Sequence, residues 1–226
     1  MRVKFVFLDF GGCIDAPGIH TRTLFWDAFR LNLGLPPEER ARFQEAYTLA
    51  DQRMMETGEA KALGLREFNR HNARLLCKEN GYPMKTGEAA ADQVTRLMDA
   101  YIEESRAALT ELSEQVPLAV ISNFTGNLEV IMDEFSLRPL FHSVTESYYA
   151  GASKPDLRIF RQALATQEFA PADCVYVGDN PVNDIAPAKA LGMKAVLIHP
   201  SGQKRECGAD AYVETLRELA RWVQSA

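Results

Sequence analysis

The stretch FVFLDFGGCID, residues 5–15, decides the fold of this chain. It contains most of a short apolar run, residues 3–8, that is rich in Val and Phe and is typical of a buried β-strand. The run ends on Asp9, and two glycines, Gly11 and Gly12, follow almost at once. An acid directly after a buried strand indicates a reactive group at the strand end. The glycines let the backbone curl and aim N–H groups at an anion.

The composition limits the classes of protein that fit. The 226 residues are enough for one sizeable domain, or for one domain with a smaller insert. The net charge of −6 disfavours nucleic-acid binding, which usually goes with a basic excess. The first apolar run is too short for a signal peptide, and no stretch has the length of a membrane span. We therefore expect a cytoplasmic protein with no nucleic-acid or membrane partner, while the oligomeric state cannot be deduced.

The cysteines show neither the spacing of a metal site nor a CxxC pair, which predicts free thiols in a reducing compartment. They are Cys13, Cys77, Cys174 and Cys207.

The hydrophobic pattern changes character along the chain. Residues 21–108 carry almost wholly helical signals, with Gly81 as a predicted helix C-cap. Strand candidates then follow at 117–122, 141–147, 174–179 and 194–198, alternating with predicted helices at 126–135, 155–167, 183–191 and 212–223. Buried strands separated by helices predict an α/β protein. Its core is a Rossmann-like, three-layer parallel sheet, and an all-helical cap is inserted after the first strand. We assign residues 1–15 and 110–226 to the core and 16–109 to the cap.

Polar side chains stand where the predicted strands end. These residues are Asp9, then Ser122 with Asn123, then Asp179. Because ligands of open parallel sheets bind outside the carboxyl ends of the strands, we expect these residues to form one site.

The acids of this set suit a hard cation. Asp9 is either a turn residue or a nucleophile and metal ligand, since a carboxylate can attack phosphorus or carbon. Asp179 and Asp184 flank a short turn in VGDNPVND, where Asn183 or Asp184 could instead cap a helix. Together the three acids make an oxygen-rich site of the kind that Mg²⁺ prefers, and a phosphorylated substrate would complete it.

Ser122 and Lys154 suit the binding of a phosphoryl group. The Ser122 hydroxyl and the following backbone N–H could hold a phosphoryl oxygen, although Ser122 could also be a plain loop residue. Lys154 precedes Pro155, a residue favoured in the first turn of a helix. A lysine at a helix start opposes the helix dipole, unless the lysine is aimed at an anion.

The ordered motifs resemble those of the haloacid dehalogenase-like hydrolase superfamily, in its phosphatase type with a helical (C1) cap. They are the first strand with Asp9, PLAVIS with Ser122, SKPD with Lys154, and VGDNPVND followed by AKALGM. The resemblance implies that Asp9 is a nucleophile that forms an aspartyl phosphate. It also implies that Ser122 and Lys154 bind phosphoryl oxygens, aided by Asn123 and Gly12. Mg²⁺ would then be held by Asp9, the Gly11 backbone carbonyl, Asp179 and the associated Asp184.

Gly11 departs from the family pattern, since the usual phosphatase has an Asp there that protonates the leaving alcohol and later activates water. Three readings remain open. The first is a Mg²⁺-dependent phosphatase that uses another proton donor, such as Asp15, His20, water or a substrate hydroxyl, or that acts on good leaving groups. The second is a metal-independent dehalogenase-like hydrolase, and the third is a catalytically weak binding or regulatory member. We expect Asp15 to shape the local turn and Cys13 to be a packing residue.

A helical cap over the strand ends would exclude water and give specificity for a small phosphorylated molecule. A bend at Gly58 could also turn Arg53 or Met54 towards the site. Candidate cap contacts are His20, Arg22, Trp26, Arg53 and Arg70.

Overall fold

The computed structural model describes residues 3–200 and 206–225. Its strands are β1 (Phe5–Leu8), β2 (Leu118–Ser122), β3 (Phe141–Glu146), β4 (Cys174–Gly178), β5 (Lys194–Ile198) and β6 (Ala211–Val213). They form one parallel sheet in the order β3-β2-β1-β4-β5-β6. The first strand therefore lies in the middle, with the chain winding outwards on both sides of it.

The centre of the sheet is buried on both faces, because β1, β2 and β4 are buried at every position. In β1, Val6 and Leu8 pack into one hydrophobic cluster, and Phe5 and Phe7 pack into another on the opposite face. This alternation follows from the period of two in a strand, and it explains why the run is continuously apolar rather than half polar.

Four helices, which we call the helical insert, lie between β1 and β2. They are α1 (Thr21–Leu33), α2 (Arg40–Thr57), α3 (Leu65–Asn80) and α4 (Met84–Ser113). Gly81 caps the end of α3 in the left-handed conformation, as predicted. Five helices accompany the later strands: α5 (Leu128–Glu134), α6 (Ser147–Ala150), α7 (Leu157–Leu164), α8 (Ala186–Ala190) and α9 (Leu216–Ser225). The predicted fold class, a parallel α/β core with a helical insert, is confirmed.

Several element bounds differ from the sequence prediction. The helix predicted over 212–223 is wrong at its start, because Ala211–Val213 adds β6 to the sheet beside β5. Tyr212 and Val213 favour strands, and α9 begins only after Thr215. The Thr215 hydroxyl accepts a hydrogen bond from the Glu218 N–H at 3.2 Å, which is half of a capping box.

The helix predicted over 155–167 is also shorter than expected. Asp156, not Lys154, precedes α7, and its side chain caps the helix by accepting from the Arg158 N–H. Lys154 therefore lies outside the helix, and the expected conflict with the helix dipole does not exist.

Two further predictions concern domain boundaries and membrane segments. Helix α4 continues to Ser113, through the predicted boundary between residues 109 and 110, and the division into two domains stays a prediction. None of the helices that the structure describes combines the length and apolarity needed to cross a bilayer. All four cysteines are free thiols.

Candidate active site

The polar residues that follow β1, β2 and β4 meet at one edge of the sheet. Leu8 pairs in register with Val120 on one side and with Val177 on the other. Asp9 follows Leu8, and Ser122 and Asp179 each come two residues after the paired valine. The sheet therefore brings together side chains that are more than a hundred residues apart in the chain.

Asp9 is held by three donors. Its Oδ1 accepts hydrogen bonds from the Ser122 hydroxyl at 2.8 Å and from the Phe10 N–H at 2.8 Å. Its Oδ2 lies 2.8 Å from the Lys154 ammonium. Both carboxylate oxygens are thus fixed in direction, as the orientation of a nucleophile requires.

Lys154 is buried and contacts two acids. Besides Asp9, its Nζ lies 2.7 Å from Asp184 Oδ1 and 3.0 Å from the Tyr176 hydroxyl. Burial alone would lower the pKa of Lys154, but the carboxylates of Asp184 and Asp9 outweigh it and hold the pKa above its ordinary value. The residue is therefore a permanent cation, which suits the binding of phosphoryl oxygens.

Oxygens of Asp9, Asp179 and Asp184 lie within 4.8 Å of one another, close enough to surround one cation. Burial, followed by the nearby Asp9 and Asp184 carboxylates, raises the pKa of Asp179 to about 8. Asp184 is fully buried and already accepts from Lys154 and from the Asn180 N–H, so its role is that of a neighbouring acid. The donor set is all oxygen, and the excess of negative charge over Lys154 fits a hard divalent cation such as Mg²⁺.

The loop after Asp9 is tightly packed around Gly12. Gly12 has φ of +72°, and a Cβ there would lie 2.5 Å from Asp179 Oδ2. Its N–H donates to Asp15 Oδ1 at 2.6 Å. Gly12 was predicted to aim its N–H at a bound anion, and in this structure that N–H is engaged by Asp15 instead. Because Gly12 has no Cβ, it lets the loop approach the Asp179 carboxylate closely.

Asp15 fastens the same loop to the helical insert. Its Oδ2 accepts from the Thr21 hydroxyl at 2.9 Å, so both of its oxygens are engaged. Burial raises the pKa of Asp15 to about 7, against the opposing effect of these hydrogen bonds. These contacts agree with the predicted turn-shaping role. Cys13 is buried in the core, where burial raises the pKa of its thiol.

Gly11 faces open space. A Cβ built on it meets no atom of the described residues within 4 Å, and its φ lies outside the left-handed region. The absence of a side chain at this position is therefore not demanded by packing.

Two residues hold Lys154 in place. The Asn123 side chain brackets its backbone, accepting from the Lys154 N–H at 2.7 Å and donating to the Lys154 carbonyl at 3.0 Å. Asn123, predicted to bind substrate, thus positions the Lys154 loop. Tyr176 was not predicted, because in the sequence it is one more apolar strand residue. Its hydroxyl donates to the Ile121 carbonyl and contacts Lys154 and Asp184.

A cavity of about 260 Å³ lies between this sheet edge and the helical insert. The sheet contributes Asp9, Ser122, Lys154 and Asp179 to its walls. The insert contributes residues that include Arg22, Tyr47, Asp51, Met55 and Phe68.

The residues that the sequence offers as cap contacts lie in different places in the structure. His20 and Arg22 line the cavity, and His20 Nδ1 accepts from the Arg22 N–H at 3.1 Å. Trp26 instead packs in the core, in edge contact with the Phe43 ring. Arg53 pairs with Glu59, and Arg70 pairs with Asp92.

The bend at Gly58 does not bring Arg53 or Met54 to the site. Met54 is fully buried in the core, and Met55 lines the cavity. Asp51 and Tyr47 were missed because the α2 sequence carries no motif that marks them.

Comparison with known proteins shows the family to which this chain belongs. Residues 69–198 match the family model described as haloacid dehalogenase-like hydrolase, a range that does not include Asp9 or Gly11. Over 83 residues the chain is 42% identical to the haloacid dehalogenase-like hydrolase domain-containing protein 3 of Xenopus laevis, covering 37% of this chain and 34% of that protein. Over 143 residues it is 37% identical to the phosphoserine phosphatase of Thermus thermophilus, covering 58% and 57% of the two chains.

Among solved structures, the chain is similar to a 2-haloacid dehalogenase from Pseudomonas syringae. The TM-score is 0.57 with 22% identity, over 99% of both chains, a likeness of fold alone. The matches span only about a third of the length of the animal relatives. The family model, in contrast, covers more than half of this chain, from within α3 to the last residue of β5. On that match the chain belongs to the haloacid dehalogenase-like hydrolase family.

Proposed function

We propose that this protein is a Mg²⁺-dependent phosphomonoesterase that acts on a small phosphorylated metabolite through an aspartyl phosphate on Asp9. The arrangement of Asp9 carries the proposal. Its carboxylate is oriented by Ser122 and Lys154 and stands beside two further acids, Asp179 and Asp184. The phosphatase among the relatives supports the same reaction class.

The reaction takes two steps. An oxygen of Asp9 attacks phosphorus, and the bond from phosphorus to the ester oxygen breaks, so that the alcohol leaves. Water then attacks the same phosphorus, and the bond to Asp9 breaks, which releases inorganic phosphate and restores the carboxylate. The positive charge of Lys154 offsets the charge of the phosphoryl oxygens during both steps, and the Ser122 hydroxyl keeps the Asp9 carboxylate oriented.

The cation would be held by Asp9, Asp179 and the Gly11 carbonyl, with Asp184 as the neighbouring acid. When bound, Mg²⁺ supplies positive charge that polarises the phosphoryl group. Asp179 fits this role because, among the described residues, no group donates a hydrogen bond to its carboxylate.

Attack on carbon with departure of a halide is the second candidate, since halide needs no protonation and the family's dehalogenases share the fold. The acid cluster argues against it. Three carboxylates gathered at one point fit a reaction with a bound cation, because without one their burial and mutual repulsion raise the pKa of Asp179 to about 8. We therefore favour phosphate ester hydrolysis.

Gly11 leaves the leaving group without its usual proton donor. Asp15 has both oxygens engaged by Gly12 and Thr21, which supports a structural role rather than proton transfer. Nδ1 of His20 accepts from the Arg22 N–H, so the proton of the neutral ring is on Nε2. We propose that the enzyme favours esters whose leaving groups depart without protonation, or that water reaching the open space at Gly11 delivers the proton.

One assay tests the proposal. Hydrolysis of p-nitrophenyl phosphate is measured with Mg²⁺ and with EDTA, for the wild type, for Asp9→Asn and for Asp27→Asn as a control at an exposed acid of α1. We expect turnover that needs Mg²⁺, is lost in Asp9→Asn and persists in Asp27→Asn. Mg²⁺ binding without turnover would instead indicate a binding or regulatory protein, and halide release from a 2-haloacid in EDTA would indicate the dehalogenase.

A further inference from the structure

Arg22 lines the cavity without a partner among the residues that the structure describes. Its Nε is buried and makes no hydrogen bond to any of them, and none of their carboxylates lies within 4.0 Å of the guanidinium. A buried donor left unpaired costs about 1–3 kcal/mol, and more if it is charged. Such a group in a folded protein calls for an explanation, and a bound ligand is one.

The position of Arg22 in its helix is a second unfavourable feature, besides the unpaired Nε. It stands in the first turn of α1, where a positive charge is unfavourable next to the positive end of the helix dipole. Its side chain lines the same cavity as Asp9. An anion bound in the cavity would accept a hydrogen bond from Nε and would offset the unfavourable charge of Arg22 at the helix start.

Asp51 does not supply that anion. It lines the cavity near Arg22 and accepts from the Asn72 amide at 3.3 Å, but it forms no ion pair with Arg22 within 4.0 Å. Burial raises the pKa of Asp51 to about 7, against the effect of Arg22, so its charge is only partly present near neutrality. The charge of Arg22 therefore remains available to a ligand.

The size of the cavity leaves room for more than the reacting phosphoryl group. Its volume of about 260 Å³ is several times the ~30 Å³ that one water molecule occupies in the liquid. The remaining space admits a short carbon chain and a second anionic group. A guanidinium matches a carboxylate in a forked pair.

We propose that Arg22 binds a carboxylate of the substrate, so that the preferred substrates are small phosphorylated hydroxy acids. The phosphoryl group lies against Asp9 and Lys154, and the carboxylate lies against Arg22 on the helical insert. This inference rests on the proposed phosphomonoesterase function and names its substrate class.

Calorimetric titration tests the recognition apart from turnover. The probes are 3-phosphonopropionate and propylphosphonate, which differ at the carboxylate and cannot be hydrolysed, and both are titrated in the presence of Mg²⁺. We expect the wild type to bind 3-phosphonopropionate about 10- to 100-fold more tightly than propylphosphonate, which is the range that hydrogen bonds to charged groups give. Arg22→Gln should reduce the ratio to about one, and Arg22→Lys should leave an intermediate ratio, because it keeps the charge without the fork.

Arg30→Gln is the matched control, since Arg30 is an exposed arginine on the same helix, and its ratio should equal that of the wild type. A wild type that does not discriminate, or an Arg22→Gln protein that still does, would overturn the assignment. Hydrolysis of p-nitrophenyl phosphate is followed in parallel. Discrimination without hydrolysis supports the assignment and refutes the phosphatase, whereas hydrolysis without discrimination does the reverse.

Discussion

Replacing Gly11 by Asp should restore the missing proton donor. The position accepts a side chain, because a Cβ there meets no atom within 4 Å in the described part of the chain and the backbone is outside the left-handed region. A positioned general acid contributes about 10²–10⁴ in rate, or ~3–5 kcal/mol at 1.36 kcal/mol per tenfold change. The new acid would lie near Asp9 and Asp179, which are not arranged around it, so we expect the lower end, a gain of about 10².

The gain should depend on the leaving group. An alkyl phosphate such as glycerol 1-phosphate needs a proton on its leaving oxygen, so its kcat/KM should rise by about 10². p-Nitrophenyl phosphate has a good leaving group, so its kcat/KM should change less than about tenfold. The assay is steady-state hydrolysis of both esters with saturating Mg²⁺.

Gly11→Asn is the matched control, since it fills the same space without an ionisable group. A folded Gly11→Asp protein with unchanged Mg²⁺ affinity and no more activity on the alkyl ester than Gly11→Asn would refute the reasoning. That result would mean that another group already protonates the leaving alcohol.

Three further predictions concern the framework of the site. Gly12→Ala should abolish Mg²⁺ binding measured by calorimetry, because the new Cβ displaces the Asp179 carboxylate. Gly34→Ala is the control: its backbone is also left-handed, but the described residues leave open space around it, so it should lose only ~1–2 kcal/mol of stability. Lys154→Met leaves the buried carboxylates of Asp9 and Asp184 without a counter-charge, so the free energy of unfolding, measured with urea in EDTA, should fall by about 3–5 kcal/mol. Lys189→Met removes one partner of a partly exposed pair and should lower it by less than about 1 kcal/mol. Asp51 has a folded pKa of about 7, above its usual value, so its contribution to stability is lost as pH rises between about 4 and 7. Asp51→Asn should therefore match the wild type at about pH 4 and exceed it by up to about 4 kcal/mol at pH 8, at 1.36 kcal/mol per pKa unit.

Each of these predictions has an opposite outcome. Equal Mg²⁺ affinities for Gly12→Ala and Gly34→Ala would show that the close approach of the loop does not shape the cation site. Equal losses for the two lysine variants would show that Lys154 is not paired as described. A stability difference for Asp51→Asn that does not grow with pH would show that Asp51 is already ionised near neutrality.

The sheet edge can be inferred from the sequence because Asp9, Ser122 and Asp179 stand at the ends of three strands that are otherwise without charged residues, β1, β2 and β4. Val6 and Leu8 serve one core and Phe5 and Phe7 the other, so burial on both faces leaves a clear signal. Once the parallel sheet is inferred, the convergence of Asp9, Ser122 and Asp179 follows from topology.

The helical insert was much less predictable. An amphipathic helix shows which face is apolar, but a polar residue facing a cavity has the same pattern as one facing solvent. Arg53 and Arg70 were therefore as plausible as Arg22, and only tertiary packing separates them. Tyr176 was hidden for the opposite reason, since its ring belongs to the core and only its hydroxyl reaches the site.

The role of Asp9 is tested most directly by rapid-quench kinetics with p-nitrophenyl phosphate. Without an acid at position 11 the first step proceeds with a good leaving group, but the side chain that would activate water there is missing, so the aspartyl phosphate should accumulate. We predict a burst of nitrophenolate equal to the enzyme concentration, and phosphate on Asp9 in the acid-quenched peptide. Product formation that is linear from the first turnover, with an unmodified Asp9 peptide, would contradict the account.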